Sequence, residues 1–336
     1  MPELRQDPAT KQWVIMAKER AKRPHDFVKP SAPLILPARK ADCPFCPGNE
    51  HMTPPETMAY RKGGSANGPG WWVRAVPNKF AALVPHGSLS RTEEDGLFRK
   101  MDGVGQHEVI IESPEHNQCI ALMEEKQVEE ILLAYRERYL ALREDPRFKL
   151  IIIFKNHGLS AGTSIEHPHS QLVATPIVPL NIRYRFEKAA SHFDDDGTCV
   201  YCDILREGLR IPTRLILQTR RFVVFHPFAS RAPFETWILP KDHQATFSSI
   251  SMDEAKEFAR VLKTVLFKLY RGLNNPAYNY IIHTAPIKDE HEDYFHWHLQ
   301  ILPRLVTPAG FELGTGIFIN TALPEETAAF LRDVPT

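Results

Sequence analysis

One ordered set of chemically marked positions occurs twice along this chain, and no other feature limits its fold as much. The first copy runs from Cys43-Pro44-Phe45-Cys46 through His116, at the end of a strand-like run, to His167-Pro168-His169-Ser170-Gln171. The second runs from Cys199-Val200-Tyr201-Cys202 through His243 to His296-Trp297-His298-Leu299-Gln300. His116 and His167 are 51 positions apart, and His243 and His296 are 53 apart. Near-equal intervals within an ordered set indicate an internal duplication. Residues 107–116 align without a gap on 234–243. A β-branched run at 150–154 has its counterpart at 279–283, and both read as strands. Each half also carries an amphipathic helix. One lies over 123–145, with Val128, Ile131, Leu132, Tyr135, Tyr139 and Leu142 on one stripe. The other opens at Ser251, with Glu254 completing a capping box, and stops at Gly272. The pattern predicts two α+β halves, 1–185 and 186–336, of antiparallel sheet with flanking helices.

Zinc takes four tetrahedral ligands and favours thiolate and imidazole. The spacing therefore predicts one site at Cys43, Cys46, His116 and His167, and another at Cys199, Cys202, His243 and His296. Four protein ligands leave no position for a reactive water, so both metals are expected to be structural. Iron is an alternative, because ligand type alone does not select the metal. The fifth cysteine, Cys119, is expected in the core.

Two histidines at i and i+2 in extended chain share a face. With His167 on a metal, His169 is free to act as a nucleophile toward phosphorus. Gln171 lies on the same face and can donate to phosphoryl oxygens. Gly162, Thr163 and Ser164 just upstream supply donors for a phosphate. Glu166 is the one acid close to that pocket. In the second copy the stretch from Lys288 to Asp293 is acidic and would repel a phosphate, so catalysis is assigned to His169 and a supporting role to the second half. The basic run Arg20-Ala21-Lys22-Arg23-Pro24 reads either as a solvated arm or as a clamp on a phosphorylated substrate. Asn78 either bonds a ligand or caps a turn.

Lysine plus arginine equals aspartate plus glutamate at 41 each, which argues against bulk attraction to nucleic acid or membrane. The absence of a long apolar run or a signal-like start predicts a cytosolic protein.

These motifs resemble the galactose-1-phosphate uridylyltransferase family, a branch of the histidine-triad superfamily, over nearly the whole chain. The resemblance implies a duplicated histidine-triad-like fold and a homodimer with composite sites. It also implies ping-pong transfer of UMP from UDP-glucose to galactose 1-phosphate through a uridylyl-histidine at His169. By the same resemblance Cys43, Cys46, His116 and His167 are zinc ligands. Arg20, Ala21, Lys22, Arg23, Asn78, Asn156, Gly162, Thr163, Ser164 and Gln171 contact nucleotide and phosphate, and Phe311 and Glu312 reach the sugar. Many family members have glycine where this chain has Ser170. The second Cys-x-x-Cys and the Gly310–Gly316 stretch look like the shorter transferases and the ADP-glucose phosphorylase branch, in which inorganic phosphate is the acceptor. A zinc-bound nucleic-acid module is the remaining alternative, and it lacks the basic helix such modules use.

Overall fold

The computed structural model describes residues 1–18, 23–28 and 36–336. Ten strands form one sheet. The first half contributes β3 (Met58–Arg61), β4 (Trp71–Pro77), β7 (Gln106–Ile111), β8 (Leu150–His157) and β9 (His169–Thr175). The second contributes β10 (Leu215–Gln218), β11 (Phe222–Phe225), β12 (Thr236–Pro240), β13 (Tyr278–His283) and β14 (His298–Pro303). From one edge the order is β10-β11-β12-β14-β13-β8-β9-β7-β4-β3, with β13 and β8 joining the halves antiparallel. Reversing that order exchanges the two sets of five, so the duplication in sequence is a duplication in the sheet. β5 (Thr92–Glu94) and β6 (Phe98–Lys100) make a separate hairpin.

Two long helices, α1 (Glu125–Arg143) and α4 (Met252–Gly272), lie side by side on one face of the sheet. α1 buries Val128, Ile131, Leu132, Tyr135 and Tyr139 there, and α4 buries Phe258, Val261, Leu262, Val265, Leu266 and Leu269. Each such side chain contributes about 1.5–3 kcal/mol relative to exposure. Ser251 and Glu254 form the expected capping box. The helix ends at Gly272, as the pattern predicts. A Cβ there would come within 2.9 Å of Val334, so its smallness serves the packing of the last helix.

The two halves differ on the opposite face. In the second, α2 (Leu180–Asp196) and α3 (Val200–Arg210) close over the sheet, with Phe186, Ala189, Val200, Tyr201 and Leu205 packed on Val223, Phe225, Trp237 and Leu239. In the first, the corresponding face keeps Asn78, His107 and Gln171 only half-buried. The boundary expected at 185/186 falls inside α2. The sheet passes from the first half to the second between Thr175, the end of β9, and Leu215, the start of β10.

The residues ahead of the basic run are built into a small sheet. β1 (Glu3–Gln6) and β2 (Trp13–Met16) form a hairpin, and β15 (Phe318–Asn320) adds parallel to β2. Two further helices, α5 (Gly310–Thr315) and α6 (Pro324–Asp333), flank β15. Among the described residues no helix is long and apolar enough to cross a membrane.

Candidate active site and metal clusters

His169 opens β9, and strand alternation sends Ser170, Leu172 and Ala174 toward α1 while His169 and Gln171 take the other face. The imidazole is 8% exposed. Its Nδ1–H donates to the His167 carbonyl at 2.8 Å, which leaves Nε2 with its lone pair free. Burial lowers its pKa, so the ring stays neutral and nucleophilic. Phe45, between the two cysteines of the first pair, sets its ring edge against His169 at 5.3 Å.

Gln171 is held by His107, a residue that no motif singles out. The backbone N–H of Ala82 donates to His107 Nδ1 at 3.2 Å, which puts the ring proton on Nε2. Nε2–H then donates to Gln171 Oε1 at 2.8 Å. The Gln171 amide nitrogen has no hydrogen-bond partner among the described residues. Asn78 Oδ1 accepts from the Phe80 N–H at 2.9 Å, and its own amide nitrogen lies 3.2 Å from His107 Nε2. Asn78 thus both caps a turn and presents an amide beside Gln171.

Behind β9 lies a buried polar network that sequence reasoning also missed. Lys155, 1% exposed, donates from Nζ to the His169 carbonyl at 3.0 Å and pairs with the buried Glu112 carboxylate. The Ser170 hydroxyl bonds Glu112 and Tyr135, and Tyr135 meets Tyr280 of the second half at 2.6 Å. Ser170 therefore has a full set of partners.

Cys43, Cys46, His116 and His167 converge, all buried, with one donor atom from each within 4.8 Å of the others. Cys46 Sγ is 3.6 Å from both histidine Nδ1 atoms. His167 Nε2–H donates to the Ser113 carbonyl at 2.7 Å, fixing the ring with Nδ1 inward, as metal-bound imidazoles require. Glu166 does not face the phosphate pocket. Its carboxylate lies 3.7 Å from His116 Nε2 and 4.0 Å from Lys40 Nζ. This soft, buried, convergent set of free thiols and imidazoles fits a metal ion.

The second cluster contains three of the four expected residues: Cys199, Cys202 and His243. His296 stands beside them, with its ring centroid 5.2 Å from that of His243, but outside the convergent set. Its Nε2–H donates to the Pro240 carbonyl at 2.8 Å, while Nδ1 accepts from the Gln244 N–H at 3.0 Å. Backbone thus takes the nitrogen that His167 turns inward.

His298, the counterpart of His169, is fully buried. Trp237 and His283 stack on it with centroids at 4.6 and 4.8 Å, and Tyr201 lies at 5.0 Å. Burial closes this copy. In the acidic loop Glu290 turns inward, accepts from Tyr139 at 3.0 Å and pairs with Arg143.

The remaining expected residues divide into two groups. Asn156 accepts from Asn279 Nδ2 at 2.8 Å, and its carbonyl accepts from Thr163 Oγ1 at 2.6 Å. These bonds tie the 158–164 loop to β8. Gly162 takes φ +89° at the turn, and Ser164 is exposed. Arg23, Phe311 and Glu312 make no hydrogen bond, ion pair or ring contact with His169 among the described residues. Arg23 begins a turn whose His25 and Phe27 pack on Phe330 and Phe234. Glu312 accepts from the Ala309 N–H on α5, and Phe311 is 47% exposed. Arg20, Ala21 and Lys22 lie outside the described residues.

Residues 1–179 match the galactose-1-phosphate uridyl transferase N-terminal domain, and residues 209–305 match the HIT domain. The chain belongs to the galactose-1-phosphate uridylyltransferase family. Within this family it is 38% identical over 336 residues to an ADP-glucose phosphorylase of Arabidopsis thaliana, covering 99% of this chain and 93% of that one. It is 32% identical over 343 residues to a galactose-1-phosphate uridylyltransferase of Thermotoga maritima, covering 99% and 98%. Among solved structures of the family, an Arabidopsis ADP-glucose phosphorylase with bound ADP-glucose superposes with a TM-score of 0.84 at 34% identity, over the whole of both chains. A uridylyltransferase structure gives 0.76 at 27% identity, covering 99% of this chain and 98% of that one.

Proposed function

We propose that this family member is a nucleotide-sugar phosphorylase, with an ADP-sugar such as ADP-glucose as donor and inorganic phosphate as acceptor. His169 Nε2 attacks the α-phosphorus of the donor. The bond from that phosphorus to the sugar-phosphate oxygen breaks, and the sugar 1-phosphate leaves. The Nδ1–H bond to the His167 carbonyl steadies the positive charge that the ring then carries. A phosphate oxygen attacks the same phosphorus, the P–N bond breaks, and the nucleoside diphosphate departs. The half-buried amides of Gln171 and Asn78 donate to phosphoryl oxygens as charge builds. Asn156 with the Gly162, Thr163 and Ser164 loop lines the nucleotide side.

One observation carries the reading: the His169 ring is oriented by backbone and leaves an unshared pair on the open face of the sheet. The choice of acceptor is supported by the 38% identity to a phosphorylase against 32% to a uridylyltransferase. The second reading, UMP transfer from UDP-glucose to galactose 1-phosphate, draws on the latter relative.

The first cluster would hold a zinc ion through Cys43, Cys46, His116 and His167, and such an ion would supply rigidity to the backbone on either side of His169. The second, with Cys199, Cys202 and His243, would hold zinc or iron. Arg23, Phe311 and Glu312 make no contact with His169 among the described residues of one chain, which is the reason for reading the protein as a cytosolic homodimer whose partner copy completes the site.

The test mixes the protein with ADP-glucose, quenches it, and looks by mass spectrometry for an adenylyl group on His169. Phosphate should then release ADP. An adduct that forms only from UDP-glucose, and is discharged only by galactose 1-phosphate, would select the second reading. Absence of any adduct would overturn both.

A further inference from the structure

We propose that His107 is the positioning residue that turns the Gln171 amide toward the reacting phosphoryl group. The inference rests on the nucleotidyl-histidine reading above.

A glutamine carboxamide can present its carbonyl or its NH2 by a half-turn of the terminal torsion. Whatever engages its oxygen decides which end is left over. In the first half Val109 stands opposite Gln171 across the β7–β9 pair. In the second, Trp237 stands opposite Gln300 across β12–β14. Two residues before each of these partners lies the equivalent position, His107 in one half and Glu235 in the other. The ungapped alignment of 107–116 with 234–243 hides this correspondence. His116 lies seven residues after Val109, whereas His243 lies six after Trp237, so the two runs are offset by one.

The chemistry at this position is opposite in the two halves. His107 accepts at Nδ1 from the Ala82 N–H and therefore donates from Nε2 to Gln171 Oε1 at 2.8 Å. The Gln171 NH2 is left for an anion. Glu235 is an acceptor, and it takes a hydrogen bond from the Gln300 NH2. The Gln300 oxygen is meanwhile held by His283 Nε2 at 2.8 Å, from the strand on the other side. Gln300 is 2% exposed and has both ends engaged, whereas Gln171 is half-buried with its donor end open. A donor aimed at developing phosphoryl charge is worth about 10²–10³ in rate, while a carbonyl turned to the same place opposes that charge.

The test measures the rate of adenylyl-His169 formation from ADP-glucose, by quenched mass spectrometry, alongside ADP-glucose affinity by calorimetry. His107→Glu, which copies the second half, and His107→Phe should each slow adduct formation 10²–10³-fold with affinity changed less than threefold. His107→Gln, which keeps a donor within reach of Oε1, should stay within tenfold of wild type. Repeating His107→Phe on a Gln171→Leu background should add less than threefold to the loss from Gln171→Leu alone, because the two residues act as one. Wild-type rates in His107→Phe, or losses that multiply in the double variant, would overturn the inference. Absence of adduct in the wild type would instead overturn the reaction itself.

Discussion

Lys155 Nζ donates to the carbonyl of His169 at 3.0 Å from a site that is 1% exposed, and its charge is met by the buried carboxylate of Glu112. The proposed nucleophile is thereby fixed from behind by an ammonium and from the side by its own Nδ1 bond to His167. Removing one member of a buried pair leaves the other uncompensated, at a cost of about 3–5 kcal/mol. Lys155→Met should lower stability by that amount in chemical denaturation, and a second change, Glu112→Gln, should recover part of it. Equal stability of Lys155→Met and wild type would show that Glu112 finds other support.

His169→Gln removes the only imidazole nitrogen on the open face of β9 that the proposed reaction uses. Turnover should fall below detection. Metal content by elemental analysis and the thermal transition should stay at wild-type values, because His167 and not His169 belongs to the convergent cluster. Residual turnover at a few per cent would move the nucleophile elsewhere.

The two metal clusters should differ in hold. The first joins four buried residues, and the second joins three, of which Cys202 and His243 are less buried. Dialysis against a chelator should strip the second site first. Cys43→Ser should lose about one metal per chain and stability together, with adduct formation falling only as the fold loosens. Full occupancy in that variant would exclude Cys43 as a ligand.

His298 should matter for folding more than for chemistry. It is fully buried in a stack with Trp237 and His283, and truncation of a large core side chain costs about 3–5 kcal/mol. His298→Ala should therefore unfold at lower denaturant while adduct formation, measured well below the new transition, stays within about tenfold. A loss equal to that of His169→Gln would mean that both copies act in turnover.

His226 gives the fold an acid limb. It is fully buried, donates from Nδ1 to Thr327 Oγ1 at 2.8 Å, and packs against Phe234. Burial holds its pKa down to about 3, with Arg332 as the nearby charge opposing protonation. The unfolded chain takes up a proton here below about pH 6.5 while the native state does not, so stability present above that pH is lost as pH falls. By pH 5 the loss from this one group should be about 2 kcal/mol. His226→Gln should flatten the dependence of unfolding free energy on pH between 7 and 5. An unchanged slope would assign the acid limb to other groups.

The duplication, the positions of the central strands, the two long helices, the convergence of Cys43, Cys46, His116 and His167 and the face of β9 that carries His169 were legible in the sequence. Each depends on local spacing: alternate residues of a strand share a face, helical stripes repeat every three or four residues, and Cys-x-x-Cys brings two thiols to one side of a turn. What tertiary structure alone decided depends on which strand lies beside which, and in what register. His107 and Glu235 are ordinary polar residues of strand-like runs until β9 and β14 are laid beside them. A single extra residue between Val109 and His116, relative to Trp237 and His243, hid their equivalence. His296 has the spacing of a ligand, yet the Gln244 backbone takes the nitrogen it would use. The second copy is closed by α2 and α3, whose contacts with Trp237 and His298 are long-range. Its acidic loop, which local reading blamed, turns its buried glutamate inward to α1.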